Sequence, residues 1–289
     1  MKKYNPIVHT WMFSDMPCEK MAKWVSFAGA QGIDLSMYSV GKNNVAEMQQ
    51  AASQNLRILE DAGLSVQVVT PMFFHKEIEL CNEDAKVRQA GVDFAKRAVD
   101  AALEYGAKKI LISPSWITPV PVQTLSYGEH LKLAADSMQK IAEYAAPKGV
   151  DLMIEPVNRY RVMLIHTVGE ALRLINMIDA DNVHIVGDVF HMHVEETEGV
   201  VNAIHQADQH LSCLHIGDNT RRCPGYGAMD WRGILSALDA IDFGGALSYE
   251  PATLYFDQHK VAADEAYAEV FVTTLKNGIS YLNHLMELP

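Results

Sequence analysis

Four side chains able to hold a cation or move a proton stand at the ends of short apolar runs. Glu155 follows Leu152-Met153-Ile154, Asp188 follows Ile185-Val186-Gly187, and Glu250 follows Leu247-Ser248-Tyr249. His215 lies near the end of Leu211-Ser212-Cys213-Leu214-His215-Ile216. Three carboxylates gathered in one place repel one another and raise their own pKa values, whereas a divalent cation makes the same gathering favourable. Oxygen-rich ligands with one imidazole nitrogen suit Mn²⁺, Mg²⁺ or Co²⁺ better than a structural zinc, which normally recruits cysteine. Taken singly, each acid reads better as a cap or an ion-pair partner. Four at equivalent positions read as one metal site.

Equivalent positions require equivalent elements, and the sequence supplies them as a cadence. Eight short runs rich in β-branched residues recur: 7–11, 33–35, 66–69, 109–112, 150–154, 183–186, 211–216 and 246–249. They read as strands. The longer segments between them carry apolar residues three and four apart, as in Val87, Ala90, Gly91, Phe94, Ala98, Val99, Ala102 and Leu103, the spacing of a helix with one buried face. Ala30-Gln31-Gly32, Asp61-Ala62-Gly63, Tyr105-Gly106-Ala107 and Pro147-Lys148-Gly149 offer glycines to close helices, while Asn43-Asn44 and Asn82-Glu83-Asp84 offer side-chain acceptors to open them. With no linker-like stretch between the units, the cadence predicts an α/β fold, a (β/α)8 TIM barrel, as a single domain over residues 1–289. In such a barrel the strand C-terminal ends share one face, so Glu155, Asp188, His215 and Glu250 converge there.

Composition narrows the partners. The chain of 289 residues is 49% hydrophobic and 21% charged, an ordinary globular balance, and its formal net charge of −12 argues against nucleic acid. No stretch approaches the roughly 18 uninterrupted apolar residues of a membrane-spanning helix, and the N-terminus lacks the apolar core of a signal peptide. Cys18, Cys81, Cys213 and Cys223 show no Cys-x-x-Cys spacing and read as reduced, buried thiols of a cytoplasmic protein. Gly-x-Gly-x-x-Gly, Walker, Gly-x-Ser-x-Gly and His-Glu-x-x-His motifs are absent, which removes support for nucleotide, serine-hydrolase and zincin chemistry.

Glu155-Pro156-Val157-Asn158-Arg159-Tyr160, the stretch from Asp188 to Glu196, His215-Ile216-Gly217-Asp218-Asn219-Thr220-Arg221, Pro224-Gly225-Tyr226-Gly227 and Tyr249-Glu250-Pro251 together carry a resemblance. The set resembles the ketose 3-epimerases acting on tagatose and allulose (psicose), within the xylose isomerase-like sugar isomerases and epimerases. The resemblance implies that Glu155, Asp188, His215 and Glu250 hold one divalent metal, and that Glu155 and Glu250 double as the acid/base pair. It further implies that His191 and Arg221 bind the sugar near its carbonyl, and that the protein is a homodimer or homotetramer. Inverting a carbon next to a ketone needs a base on one face, an acid on the other and stabilisation of the enediolate between them, which two glutamates and a metal provide. An imidazole three residues after Asp188 also has a plainer reading, as a partner that orients the aspartate. Trp11, Phe13, Phe73 and Trp116, at strand ends, offer aromatic faces to the sugar's C–H surface or, equally, ordinary packing. Arg221 belongs inside by the resemblance, and Arg222 at the surface.

Two positions depart from the family pattern. Where the pattern has a sugar-contacting glutamate after Asn-Arg-Phe/Tyr, this chain has Arg161, and His193 stands where asparagine is usual. A donor-only cation cannot reproduce the hydrogen bonds of an acceptor-only anion. Either Arg161 turns outward to Glu195 or Glu196, or it receives an oxygen-rich anionic group and the substrate is not a plain ketohexose. The alternatives on the same barrel are a keto-sugar dehydratase or C-glycoside-cleaving lyase and a keto-acid or sugar-phosphate isomerase. A non-catalytic sugar-binding subunit would have no need of the two glutamates.

Overall fold

A computed structural model describes residues 3–37, 44–71, 76–115, 125–252 and 256–288. In chain order the elements are β1 (Pro6–His9), α1 (Cys18–Phe27), β2 (Gly32–Ser36), α2 (Val45–Asp61), β3 (Ser65–Thr70), α3 (Ala85–Glu104), β4 (Lys109–Leu111), α4 (Tyr127–Ala145) and β5 (Asp151–Ile154). They continue with α5 (Val168–Ile178), β6 (Val183–Asp188), α6 (Val189–Glu195), α7 (Gly199–Ala207), β7 (Leu211–Ile216), α8 (Trp231–Ala240), β8 (Ala246–Tyr249), α9 (Gln258–Ala263) and α10 (Glu265–Glu287). All strand pairs are parallel and the sheet closes, with Pro6 of β1 opposite Leu247 of β8. The (β/α)8 barrel expected from the cadence is the observed fold.

Local chemistry explains most boundaries. Asn44 and Asp84 cap α2 and α3 by accepting backbone N–H groups, and Ser126 with Glu129 forms a reciprocal capping box on α4. Behind that cap, α4 lays Leu131, Met138 and Ile141 on the sheet, each buried aliphatic side chain contributing about 1.5–3 kcal/mol. Gly63, Gly106 and Gly149 take positive φ where a helix gives way to a strand, as anticipated, but the residue that does so after α1 is Gly29, not Gly32. Gly32 already belongs to β2, where an added Cβ would lie 2.6 Å from the Ser65 carbonyl oxygen. The first strand also ends earlier than its apolar run, at His9, because Thr10–Phe13 turn into a 3-10 helix whose Trp11 N–H donates to the His9 ring.

The strand period of two builds the site. Ile7, Val68, Leu111, Met153, Val186, Cys213 and Ala246 form an apolar layer of their own, apart from the core that packs against the helices. Two residues further along, the same face of each strand or strand end carries His9, Thr70, Ser113, Glu155, Asp188, His215 and Ser248. A hydrophobic plug thus underlies a polar layer. All four cysteines are buried and free, and burial pushes their thiols up, Cys18 to about 11 and Cys213 and Cys223 to about 12. Among the described residues no helix is long and apolar enough to cross a membrane.

Candidate metal centre and substrate cavity

Glu155, Asp188 and His215 of the polar layer meet Glu250, two residues beyond Ser248, each offering a ligand atom, all within 4.8 Å of one another. His215 Nδ1 lies 3.3 Å from Glu155 Oε1 and 3.2 Å from Glu250 Oε2. Its Nε2 points the other way, 3.2 Å from Asp34 Oδ2. Asp188 closes β6 and caps α6, its Oδ1 accepting from the Phe190 and His191 amides at 2.7 and 3.1 Å while Oδ2 faces the cluster. Gly187 permits this junction, since an added Cβ would come within 2.5 Å of Met192 Cε.

The donor set fits a divalent cation. His215 Nδ1 and Glu250 Oε2 are buried without an aligned hydrogen bond, although Arg221 Nη2 makes an ion-pair contact with Glu250 Oε2 at 3.0 Å. Buried lone pairs without partners, set among three carboxylates, are a binding position for a cation. Asp34 accepting from Nε2–H of His215 leaves Nδ1 free as a donor atom, the carboxylate–histidine arrangement that orients metal-bound imidazoles.

The charges are tightly linked. Burial acts to raise the Glu250 carboxyl's pKa, but the Arg221 and His215 charges outweigh it and hold the group well below the usual range. Asp188 follows the same pattern, with burial opposed by Arg221 and His191. Burial works against the His215 imidazolium, yet the hydrogen bond to Asp34 and the nearby Glu155 and Glu250 carboxylates raise its pKa well above the usual value. In Asp34, burial is overcome by His9, His215 and the Thr70 hydroxyl, so its carboxyl stays ionised below the usual range.

Above the cluster opens a cavity of about 750 Å³. His191 lines it, with its Nδ1 2.8 Å from Asn158 Nδ2; accepting that hydrogen bond keeps the imidazole proton on Nε2, which faces Asp188 at 3.7 Å. Arg221 contacts Asp188 at 2.5 Å and lies 5.0 Å from the Phe190 ring centre. Its backbone has φ +59°, a left-handed conformation uncommon for a residue other than glycine. Asp218 sustains that loop by accepting from the Asn219, Gly225 and Met229 amides and from the Trp231 indole. Gly227 packs so tightly there that a Cβ would lie 2.0 Å from Asp218 Oδ1. Arg222 is exposed over Tyr226.

Other sequence expectations change. Arg161 does not pair with Glu195 or Glu196: Arg159 occupies Glu195 with its backbone amide and guanidinium, and Glu196 accepts from the Val168 amide. Arg161 lines the cavity instead. His193 is exposed on α6. Phe13 is fully buried against Phe271, away from the cavity, whereas Trp11 donates its indole N–H to Glu250 Oε1 at 2.8 Å. Phe73 and Trp116 lie outside the described residues. Asp34, with His9 4.0 Å from its other oxygen, was not singled out from the sequence, although an acid between Ile33 and Leu35 on an otherwise buried strand is a usable signal.

A model of one protein family, the xylose isomerase-like TIM barrel, matches residues 22–269. This chain belongs to that family. Among curated relatives, 3-dehydro-D-guloside 4-epimerase of Escherichia coli (strain K12) is 31% identical over 182 residues, 59% of this chain and 69% of that protein. D-psicose 3-epimerase of Agrobacterium fabrum is 28% identical over 254 residues, 86% of this chain and 83% of that one. The same barrel recurs in the solved D-psicose 3-epimerase of Clostridium cellulolyticum H10 with D-tagatose, at TM-score 0.84 and 20% identity over 99% of this chain and all of that one.

Proposed function

We propose that this protein is a metal-dependent epimerase that inverts the carbon next to a ketone in a ketose or keto-sugar derivative. The observation that carries this reading is the meeting of Glu155 and Glu250, from strand ends three strands apart, around the free Nδ1 of His215. The similar proteins, epimerases of a ketose and of a dehydro-sugar glycoside, support it.

A divalent ion held by Glu155, Asp188, His215 and Glu250 would supply Lewis-acid polarisation of the ketone. One glutamate removes the proton from the carbon beside the carbonyl on one face, and the other returns a proton on the opposite face. Which of them begins depends on which epimer is bound. Trp11 holds Glu250 Oε1 and so leaves Oε2 toward the reacting centre. The Nε2–H of His191 and the guanidinium of Arg221 donate to sugar oxygens as negative charge develops on the enediolate. With this reading go Mn²⁺ as the ion, one barrel domain over residues 1–289 and a homodimer or homotetramer. The four free buried thiols support a cytoplasmic setting.

The test is proton exchange. Incubated with Mn²⁺ and ketoses in D₂O, the protein should place deuterium on the carbon next to the ketone and yield an epimer of unchanged composition. Loss of a substituent would assign the barrel to elimination instead, and no exchange with any keto-sugar would overturn the reading.

A further inference from the structure

We infer that the substrate carries an oxyanion, a carboxylate or a phosphate, away from the reacting carbon, and that Arg161 receives it. This rests on the epimerase reading and narrows its substrate class. The carboxylates and guanidinium groups lining the cavity are those of Glu155, Arg161, Arg221 and Glu250. Both glutamates belong to the candidate metal cluster, and Arg221 is paired with Asp188 and Glu250. Arg161 alone of these has no carboxylate partner among the described residues. The sequence outside the described residues contains no Asp or Glu to supply one. Arg161 is itself exposed, on the solvent side of the cavity it lines, in a chain whose 36 acidic residues outnumber its 24 basic ones.

The side chain is also presented from a fixed base. The Asn158 carbonyl accepts from the Arg161 and Val162 amides at 2.9 and 3.3 Å, and Asn158 Oδ1 accepts from the Tyr160 amide at 3.2 Å. The same Asn158 is bound to His191, so the turn is anchored to a residue of the reaction centre. Arg159 pins the turn from its other side to the buried Glu195. What remains is Arg161 with Tyr160, 76% exposed and also lining the cavity. A planar guanidinium grips a carboxylate or phosphate through two parallel hydrogen bonds, which the hydroxyls of a neutral ketose cannot match.

The experiment compares D-fructose, its C6 acid D-fructuronate and D-fructose 6-phosphate by deuterium exchange with Mn²⁺. Dissociation constants for the same probes are measured by calorimetry. The expected result is a kcat/KM roughly 10–100-fold higher for one anionic probe than for fructose, the worth of a charge-assisted hydrogen bond. Arg161→Met should shrink that ratio to near unity, and Arg161→Glu should turn it toward fructose. Whichever anion is favoured identifies the group. Equal use of fructose and both anions, with a ratio that Arg161→Met does not move, overturns the proposal. If no probe exchanges, the fructose skeleton is not the substrate's while the epimerase reading stands for other keto-sugars, and loss of anion affinity in Arg161→Met supports this proposal whereas unchanged affinity overturns it.

Discussion

Asp34 determines which nitrogen of His215 faces the carboxylates, and it does so from a position with no path to solvent. Its own oxygens are occupied by the Thr70 hydroxyl at 2.7 Å, the Ser248 hydroxyl at 3.3 Å and His215, so the imidazole is held by a side chain that is itself held. Asp34→Asn can present its amide nitrogen to Nε2 and reverse the tautomer. Calorimetric Mn²⁺ titration should then show affinity falling about 10–100-fold, the usual effect of removing such an orienting partner. A drop in melting temperature with unchanged Mn²⁺ affinity would mean that Asp34 only packs. Side-chain type and strand-end position made the four cluster residues legible in the sequence. Asp34 was not, because Ile33-Asp34-Leu35 reads first as an apolar run and only its alternation turns the acid inward. Arg159 and Arg161 could not be separated either: two arginines two residues apart take opposite directions through a turn that Asn158 defines by hydrogen bonding, not by any pattern of residue types.

Helix α6 is short, yet it joins the candidate ligand Asp188 at its start to the buried acid Glu195 at its end. Burial acts to raise the Glu195 carboxyl's pKa, but the hydrogen bonds and charge of Arg159 outweigh it, so the group stays ionised below the usual carboxylate range. A carboxyl whose folded pKa is depressed stabilises the fold above its unfolded value, about 4.3, and loses that contribution as pH falls through the folded value. Thermal unfolding of the parent protein and Glu195→Gln should therefore differ most near pH 7 and converge as pH falls below about 4. A gap that stays constant from pH 7 to 3 would remove the charge on Glu195 from the account. Elements were the most legible part of the sequence, because apolar period and capping residues act over a few neighbours. The exceptions have tertiary causes: Gly32 is needed for close strand approach and not for a helix end, and β1 gives way early to a turn capped by His9.

The barrel as a whole was readable because eight repeats of one cadence admit few closed arrangements, whereas the inward turn of Arg221 came from the resemblance and not from spacing or residue type. The Arg221 loop depends on Asp218 meeting three backbone amides and an indole, a convergence with no spacing signature. The two halves of the molecule are chemically unequal. Every donor of the candidate metal cluster comes from β5 to β8 or the residue following one of them, while Asp34 and His9, which face His215, come from β2 and β1. The C-terminal half carries the ligands, and the N-terminal half carries the carboxylate that keeps one of them usable. Ion affinity is therefore a gauge of whether the halves are docked. In a urea titration of the Mn²⁺-loaded protein, release of the ion should precede or coincide with the loss of helical signal, since parting β1 from β8 frees His215 before any helix has to melt. An ion that stayed bound after the helical signal had gone would mean that the C-terminal strands hold it without help from across the seam.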